Sequence, residues 1–205
     1  QRERREAAAA AAQRAVAAVA APPGTLVAGA GGGVAAMLPM GAAPSGPVSA
    51  QSIDAYLAAK GSPMAGNGAA FVASGARYRI DPRLIVAISG AESNFGQITC
   101  GPNNAWGWAC PNDPEDFATW AHGIETITRG LRIGYFDEGR SSVVLIQQKY
   151  APSGAANDPT GLNNHWVNNV TKFLLEQGGN PNAVGDGPSS LPLPDLGGLG
   201  IVAGD

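Results

Sequence analysis

The stretch "DPRLIVAISGAESNFGQ", Asp81 to Gln97, decides how the chain is read. It opens with Asp81 as an N-cap and Pro82 at the first helical position, where proline's fixed φ suits the helix and its missing N–H is not needed. Leu84, Ile85 and Ile88 come next at helical spacing on a wide apolar face, which predicts a buried central helix. Glu92 falls in the last turn of that helix. Backbone carbonyls carry partial negative charge there and disfavour a carboxylate, and apolar neighbours desolvate it. Both effects raise its pKa toward the value a general acid needs at neutral pH. Stability alone favours Lys, Arg or Asn at such a position, so Glu92 stands against local preference and becomes the first candidate for chemistry. The competing structural reading places it in solvent or pairs it with a cation such as Arg129.

On either side of this stretch, the same cap-and-period logic marks further helices. "SAQSIDAYLAAKG" offers Ser49 as N-cap, Ile53, Tyr56 and Leu57 as the apolar face, and Gly61 as the stop. "NGAAFVASGARY" reads as a second helix capped by Asn67, with Phe71, Val72 and Ala76 inward. Beyond the central helix, residues 97–116 lack a helical period and hold at most a short hairpin, with Asp116 expected to cap the next helix. "DFATWAHGIETITRGLRIGYF" and "SSVVLIQQKY" resume the helical pattern, the second ending before Pro152. "NHWVNNVTKFLLEQGG" closes it, with Trp166, Val170, Phe173 and Leu174 inward and Gly178 as stop. The expected fold is mainly α, about six helices around a central one with a single short loop or hairpin lobe.

The 29 Gly and 16 Pro residues crowd the flanks, which confines the core to one domain. Residues 1–48 read as an Ala-, Gly- and Pro-rich helix and flexible linker, 49–179 as the domain, and 180–205 as a Gly- and Pro-rich tail. The charge-free run Leu26–Ala43 has the length of a membrane span. Its glycines and Pro39 weaken any helix, so a linker is expected and stable membrane insertion is not. A net charge of −3 leaves no electrostatic footprint for nucleic acid.

Cys100 and Cys110 enclose a short Gly-, Pro-, Asn- and Trp-containing loop. They are read as a disulfide of an oxidising compartment, or else as two idle thiols. His122 and His165 lie too far downstream to complete a zinc site with them. Glu125 stands three residues after His122, a spacing fit for a shared metal, but no third ligand is near in sequence. Neither a metal nor any other cofactor is expected.

The central stretch resembles the helix that bears the catalytic glutamate in lysozyme-like peptidoglycan hydrolases, where a Glu-Ser-x-Phe-Gly string often ends the helix. Three further motifs come after it in order. "NNAWGW" resembles the strand after the acid in family 73 endo-β-N-acetylglucosaminidases. "FATWAHGIETITRGL" is similar to their Phe-x-(Ser/Thr)-Trp-x-x-Gly-Ile helix, and "IQQKYAPSGAANDPTGLNNHWVNNVTKFL" to their Tyr-Ala-Pro … Trp-x-x-x-Val ending. The resemblance spans about Ala50 to Gly179 and implies an α+β lysozyme-like fold.

It also implies roles. Glu92 would protonate the leaving glycosidic oxygen, and Tyr150 would support developing positive charge or hold an N-acetyl group. Trp106 and Trp108 would stack on sugar faces, one of them clamping the loop onto the core instead. Asn103 and Asn104 would bind acetamido groups, with one serving turn geometry, and Ser93 and Phe95 go with them as substrate contacts. The second carboxylate that glycoside hydrolysis usually requires is sought among Asp113, Glu115 and Asp116, with Asp113 preferred. The implied protein is a secreted or wall-associated β-1,4 glycan-strand hydrolase acting on peptidoglycan, a monomeric domain within a larger chain. The alternatives are a single-glutamate lytic transglycosylase and a non-catalytic glycan-binding or assembly module. The Gly-Leu-Met-Gln string usual in the transglycosylases is missing.

Overall fold

The computed structural model describes residues 48–110 and 114–186. The expectations for residues 1–47, for Asp113 and for residues 187–205 lie outside that range. The described chain is mainly α, with six α-helices: α1 Ala50–Ala59, α2 Gly68–Tyr78, α3 Pro82–Ser93, α4 Trp120–Leu131, α5 Val143–Tyr150 and α6 Trp166–Glu176. No regular strand forms among the described residues; a single antiparallel bridge joins Ile80 to Gly185. The segment between α3 and α4 is built from turns and holds no hairpin in its described residues.

Caps explain most of the helix starts. Ser49 and Ser52 form a reciprocal capping box at α1, each side-chain oxygen accepting the other's backbone N–H. Asp81 accepts from the Arg83 N–H at α3, with Pro82 at the first helical position as expected. Two starts differ from expectation. Asn67 sits at the α2 N-cap position, but its amide donates to the Met64 carbonyl. Asp54 of α1 takes over by accepting the Gly66 and Gly68 N–H groups at 2.8 and 2.7 Å. Helix α4 begins at Trp120 with Thr119 as cap, while Asp116 is exposed and caps nothing.

Helix α3 is the hub. Every residue from Leu84 to Ala91 is buried, and the helix packs most extensively on α6, with α2 and α4 also against it. Gly90 makes the α3–α6 approach possible: a Cβ there would lie 2.6 Å from the Phe95 ring and 2.8 Å from that of Phe173. After α4 the helix widens into a π turn over Arg132–Phe136, which sets Arg132, Tyr135 and Phe136 inward.

The packed domain also runs past Gly179. Val184 is fully buried, and the Asp81 N–H donates to its carbonyl. Asp186 donates its N–H to the Arg79 carbonyl and offers its own carbonyl to Arg132. Residues 180–186 therefore belong to the domain rather than to the tail.

Candidate active site

Helix α3 ends one residue after Glu92, and the local sequence dictates how. Asn94, Phe95 and Gly96 all take positive φ (51°, 58° and 81°), so the chain turns back sharply. Asparagine and glycine tolerate that region readily; Phe95 does not, and is held there by burial of its ring against Tyr56 and Phe173. Ser93 secures the turn. Its hydroxyl accepts the Gly96 N–H and reaches the Ala105 carbonyl at 2.6 Å. That contact fastens the next loop to the end of the helix that carries Glu92.

The loop is braced from within. Asn104, fully buried, donates to the carbonyls of Trp108 and Glu115 and accepts the Trp108 N–H. Trp106 is also fully buried, its indole N–H donating to the Ile85 carbonyl at 2.9 Å. Asn103 takes φ 54° and ties to Phe117. Cys100 and Cys110 are joined as a disulfide, with Cα atoms 6.5 Å apart.

This loop and the α5–α6 connection frame a cleft of about 210 Å³ at the end of α3. Cys100, Asn104, Gly107 and Cys110 contribute from the loop; Pro152, Asn157, Asp158 and Asn163 contribute from the connection. Trp166 and Asn169 of α6 complete it. Glu92 lies in this cleft, partly reachable from solvent but densely enclosed. Its Oε1 accepts the indole N–H of Trp166 at 2.7 Å. Its other oxygen faces Gly107, where a Cβ would come within 2.8 Å of Oε2. Gly107 also holds φ +64°, so glycine is required there for backbone and for space. No cation pairs with Glu92 among the described residues; Arg129 does not. Burial pushes the Glu92 carboxyl up to about 7, opposed only in part by the Trp166 hydrogen bond.

Tyr150, the last residue of α5, lines the same cleft. Burial first, then the nearby charge of Glu92, raises its hydroxyl well above the ordinary range, so it is a neutral donor at any physiological pH. Its proton goes to the Trp106 carbonyl at 2.5 Å. Its ring lies 5.5 Å from that of Trp166 and 6.2 Å from that of Trp108. Trp108 in turn covers Gly130 of α4.

The structure thus brings Glu92, Tyr150, Ser93 and Asn104 together with the disulfide at one cleft. Ser93 and Asn104 have their hydrogen bonds committed to the loop, which leaves little for a ligand. Phe95 and Trp106 are core residues, and Asn103 is a turn residue; none of the three faces the cleft. Trp108 buttresses Tyr150 from the side. His122 packs on Phe117, and Glu125 is occupied by Ser74, Arg77 and Tyr78. No cluster of three metal-ligating side chains occurs among the described residues.

Trp166, Gly107 and Asp158 are cleft residues to which the sequence reading gives no role in the site. Gly107 sits in the string Asn-Asn-Ala-Trp-Gly-Trp, where the aromatics carry the stronger signal. Trp166 is visible as an inward helix position and as the Trp of the Trp-x-x-x-Val ending, neither of which points to Glu92. Asp158 sits in an Asp-Pro-Thr-Gly turn signal. No family model matches this sequence, and no curated protein shows significant similarity to it. Nor is any helix among the described residues long and apolar enough to cross a membrane.

Proposed function

We propose that the domain is a lysozyme-like glycoside hydrolase of the glucosaminidase type, cleaving a β-1,4 bond between N-acetylated aminosugars of peptidoglycan strands, with Glu92 as general acid. The observation that carries this reading is the state of Glu92: a carboxyl at a cleft, without a counter-ion among the described residues, with burial raising its pKa to about 7. Such a group holds its proton near neutrality and can release it as charge develops on a leaving oxygen. The sequence resemblance supplies the substrate class. The cleft's lining supports it: among the described residues it mixes polar and apolar groups, carries two carboxylates as its charges, and offers carboxamides at Asn157 and Asn169. Trp166 would fix the acid's orientation, and Tyr150 would stiffen Trp166 while leaving its oxygen lone pairs open to an acetamido N–H. The disulfide suits an oxidising, extracytoplasmic setting, which fits a secreted wall enzyme acting as a monomeric domain.

The test is Glu92→Gln. The amide keeps the shape and can still accept from Trp166, so the protein remains folded by circular dichroism. Clearing of purified cell walls falls by at least about a hundredfold. Undiminished clearing rejects the assignment. The ends released by the wild-type protein separate the two enzymatic alternatives: reducing sugars mark hydrolysis, and anhydro sugars mark a transglycosylase. Retention on walls without release of either marks a binding module.

A further inference from the structure

Glycoside cleavage builds positive charge on the anomeric carbon and ring oxygen, and a second carboxylate usually faces it. Two carboxylates line the cleft among the described residues, Glu92 and Asp158, and no Lys, Arg or His lines it with them. Asp158 comes from the α5–α6 connection, not from the loop between α3 and α4. It is partly exposed, and both its oxygens are held by the backbone of its own turn: Oδ1 accepts the Leu162 N–H at 3.0 Å and Oδ2 the Asn163 N–H at 2.8 Å. Thr160 adds its hydroxyl to Oδ1 at 3.2 Å. No cation is paired with it among the described residues.

We propose that Asp158 is the second carboxylate of this site, a fixed negative charge that faces the anomeric carbon while Glu92 delivers the proton. The inference rests on the glycosidase reading above.

The environments of the two groups divide the labour. Glu92 has one hydrogen-bond donor and a buried setting, so it keeps its proton. At Asp158 burial acts upward too, but the Asn163 and Leu162 N–H groups, Thr160 and Gly161 outweigh it and hold the carboxyl below its ordinary range. Two carboxyls pushed apart by their surroundings are the pattern that separates an acid from an ionised partner. In the step itself the C1–O bond breaks and its electron pair leaves with the oxygen, which takes the Glu92 proton. The positive charge left on the sugar faces Asp158. A water oxygen then bonds to C1, and the proton that water loses restores Glu92. Asp158 ends the cycle unchanged. The fragment that carries C1 ends as a reducing sugar, and the other keeps the leaving oxygen as a free hydroxyl.

The competing role is purely structural, since the same hydrogen bonds secure the turn before α6. Kinetics on solubilised glycan strands separates the two. Asp158→Asn keeps the shape and one acceptor oxygen but loses the charge. Its KM is expected to stay unchanged while kcat falls about a hundredfold or more, the pattern of a contact made only in the transition state. In Asp158→Ala, azide, a small anion that fits the vacated space, restores part of the turnover.

Wild-type kcat in Asp158→Asn overturns the proposal, as does a loss in Asp158→Ala that azide does not restore. So does an Asp113→Asn variant that is inactive and whose Asp113→Ala counterpart azide rescues. Failure here is distinct from failure of the function: if Glu92→Gln is inactive and Asp158→Asn is not, only the Asp158 role falls.

Discussion

Burial raises the Glu92 pKa and the Trp166 indole N–H lowers it, so replacing that indole changes the acid in a predictable direction. Trp166→Phe keeps an aromatic ring beside Tyr150 but removes the hydrogen bond that favours the ionised form. The Glu92 pKa then rises further. A general acid works only while protonated, so activity is lost as pH climbs through its pKa. The alkaline limb of the kcat/KM profile is therefore expected to move to higher pH in Trp166→Phe, measured on solubilised glycan strands. At the same time kcat falls by about ten- to a hundredfold because the carboxyl is less firmly oriented. A limb that stays put, or moves to lower pH, contradicts the assignment. The placement of Glu92 is legible from sequence because its cause is local: a carboxylate in a helix's last turn beside apolar neighbours. The role of Trp166 is not, because it depends on a contact across 74 positions of chain. No periodicity encodes which indole meets which acid.

Among the elements, the helices are readable for the same reason. Ser49, Asp81 and Pro82 are short-range signals, and they mark where α1 and α3 begin. The loop between α3 and α4 is less readable because its order comes from distant partners. Asn104 gathers the backbone of Trp108 and Glu115, and Trp106 reaches back to Ile85. Aromatic and asparagine side chains in such a loop look like ligand contacts when viewed alone, yet they are spent on holding it. Gly107 is brought against Glu92 as the result. The disulfide closes the same loop, and constraining the unfolded chain over that span is worth about 2–3 kcal/mol. The Cys100→Ser/Cys110→Ser variant should lose that much stability in urea denaturation. Adding reductant to the wild-type protein should bring it to the same midpoint, with no effect on the variant. An unchanged midpoint in both means the internal hydrogen bonds alone hold the loop.

Across the whole molecule, the central helix is anchored at both ends, and the second anchor is the segment after α6. A Gly- and Pro-rich composition makes residues 180–205 read as tail, because composition reports the absence of a helix and not the absence of packing. Pro181 accepts the Val143 N–H at the start of α5, and the Val184 N–H donates to Ser141. The Val184 carbonyl accepts the Asp81 N–H at 2.9 Å, immediately before α3. Asp186 supplies an acceptor to the buried guanidinium of Arg132 at 3.0 Å. Ending the chain at residue 179 therefore exposes the apolar surface that Val184 covers. It also leaves the Asp81 and Val143 N–H groups and the Arg132 side chain with fewer partners. Burial of one valine is worth about 1.5–3 kcal/mol, and each hydrogen bond adds about 1 kcal/mol. The entropy of ordering residues 180–186 offsets part of that sum, so a fragment of residues 48–179 is expected to be less stable than one of residues 48–186 by about 2–4 kcal/mol. Urea midpoints of the two fragments measure this directly, and equal midpoints would show that the segment merely lies on the surface. Because the lost contacts sit at the Asp81 end of α3 and Glu92 sits at the other, the shorter fragment should also lose the proposed wall-clearing activity at urea concentrations where the longer one keeps it.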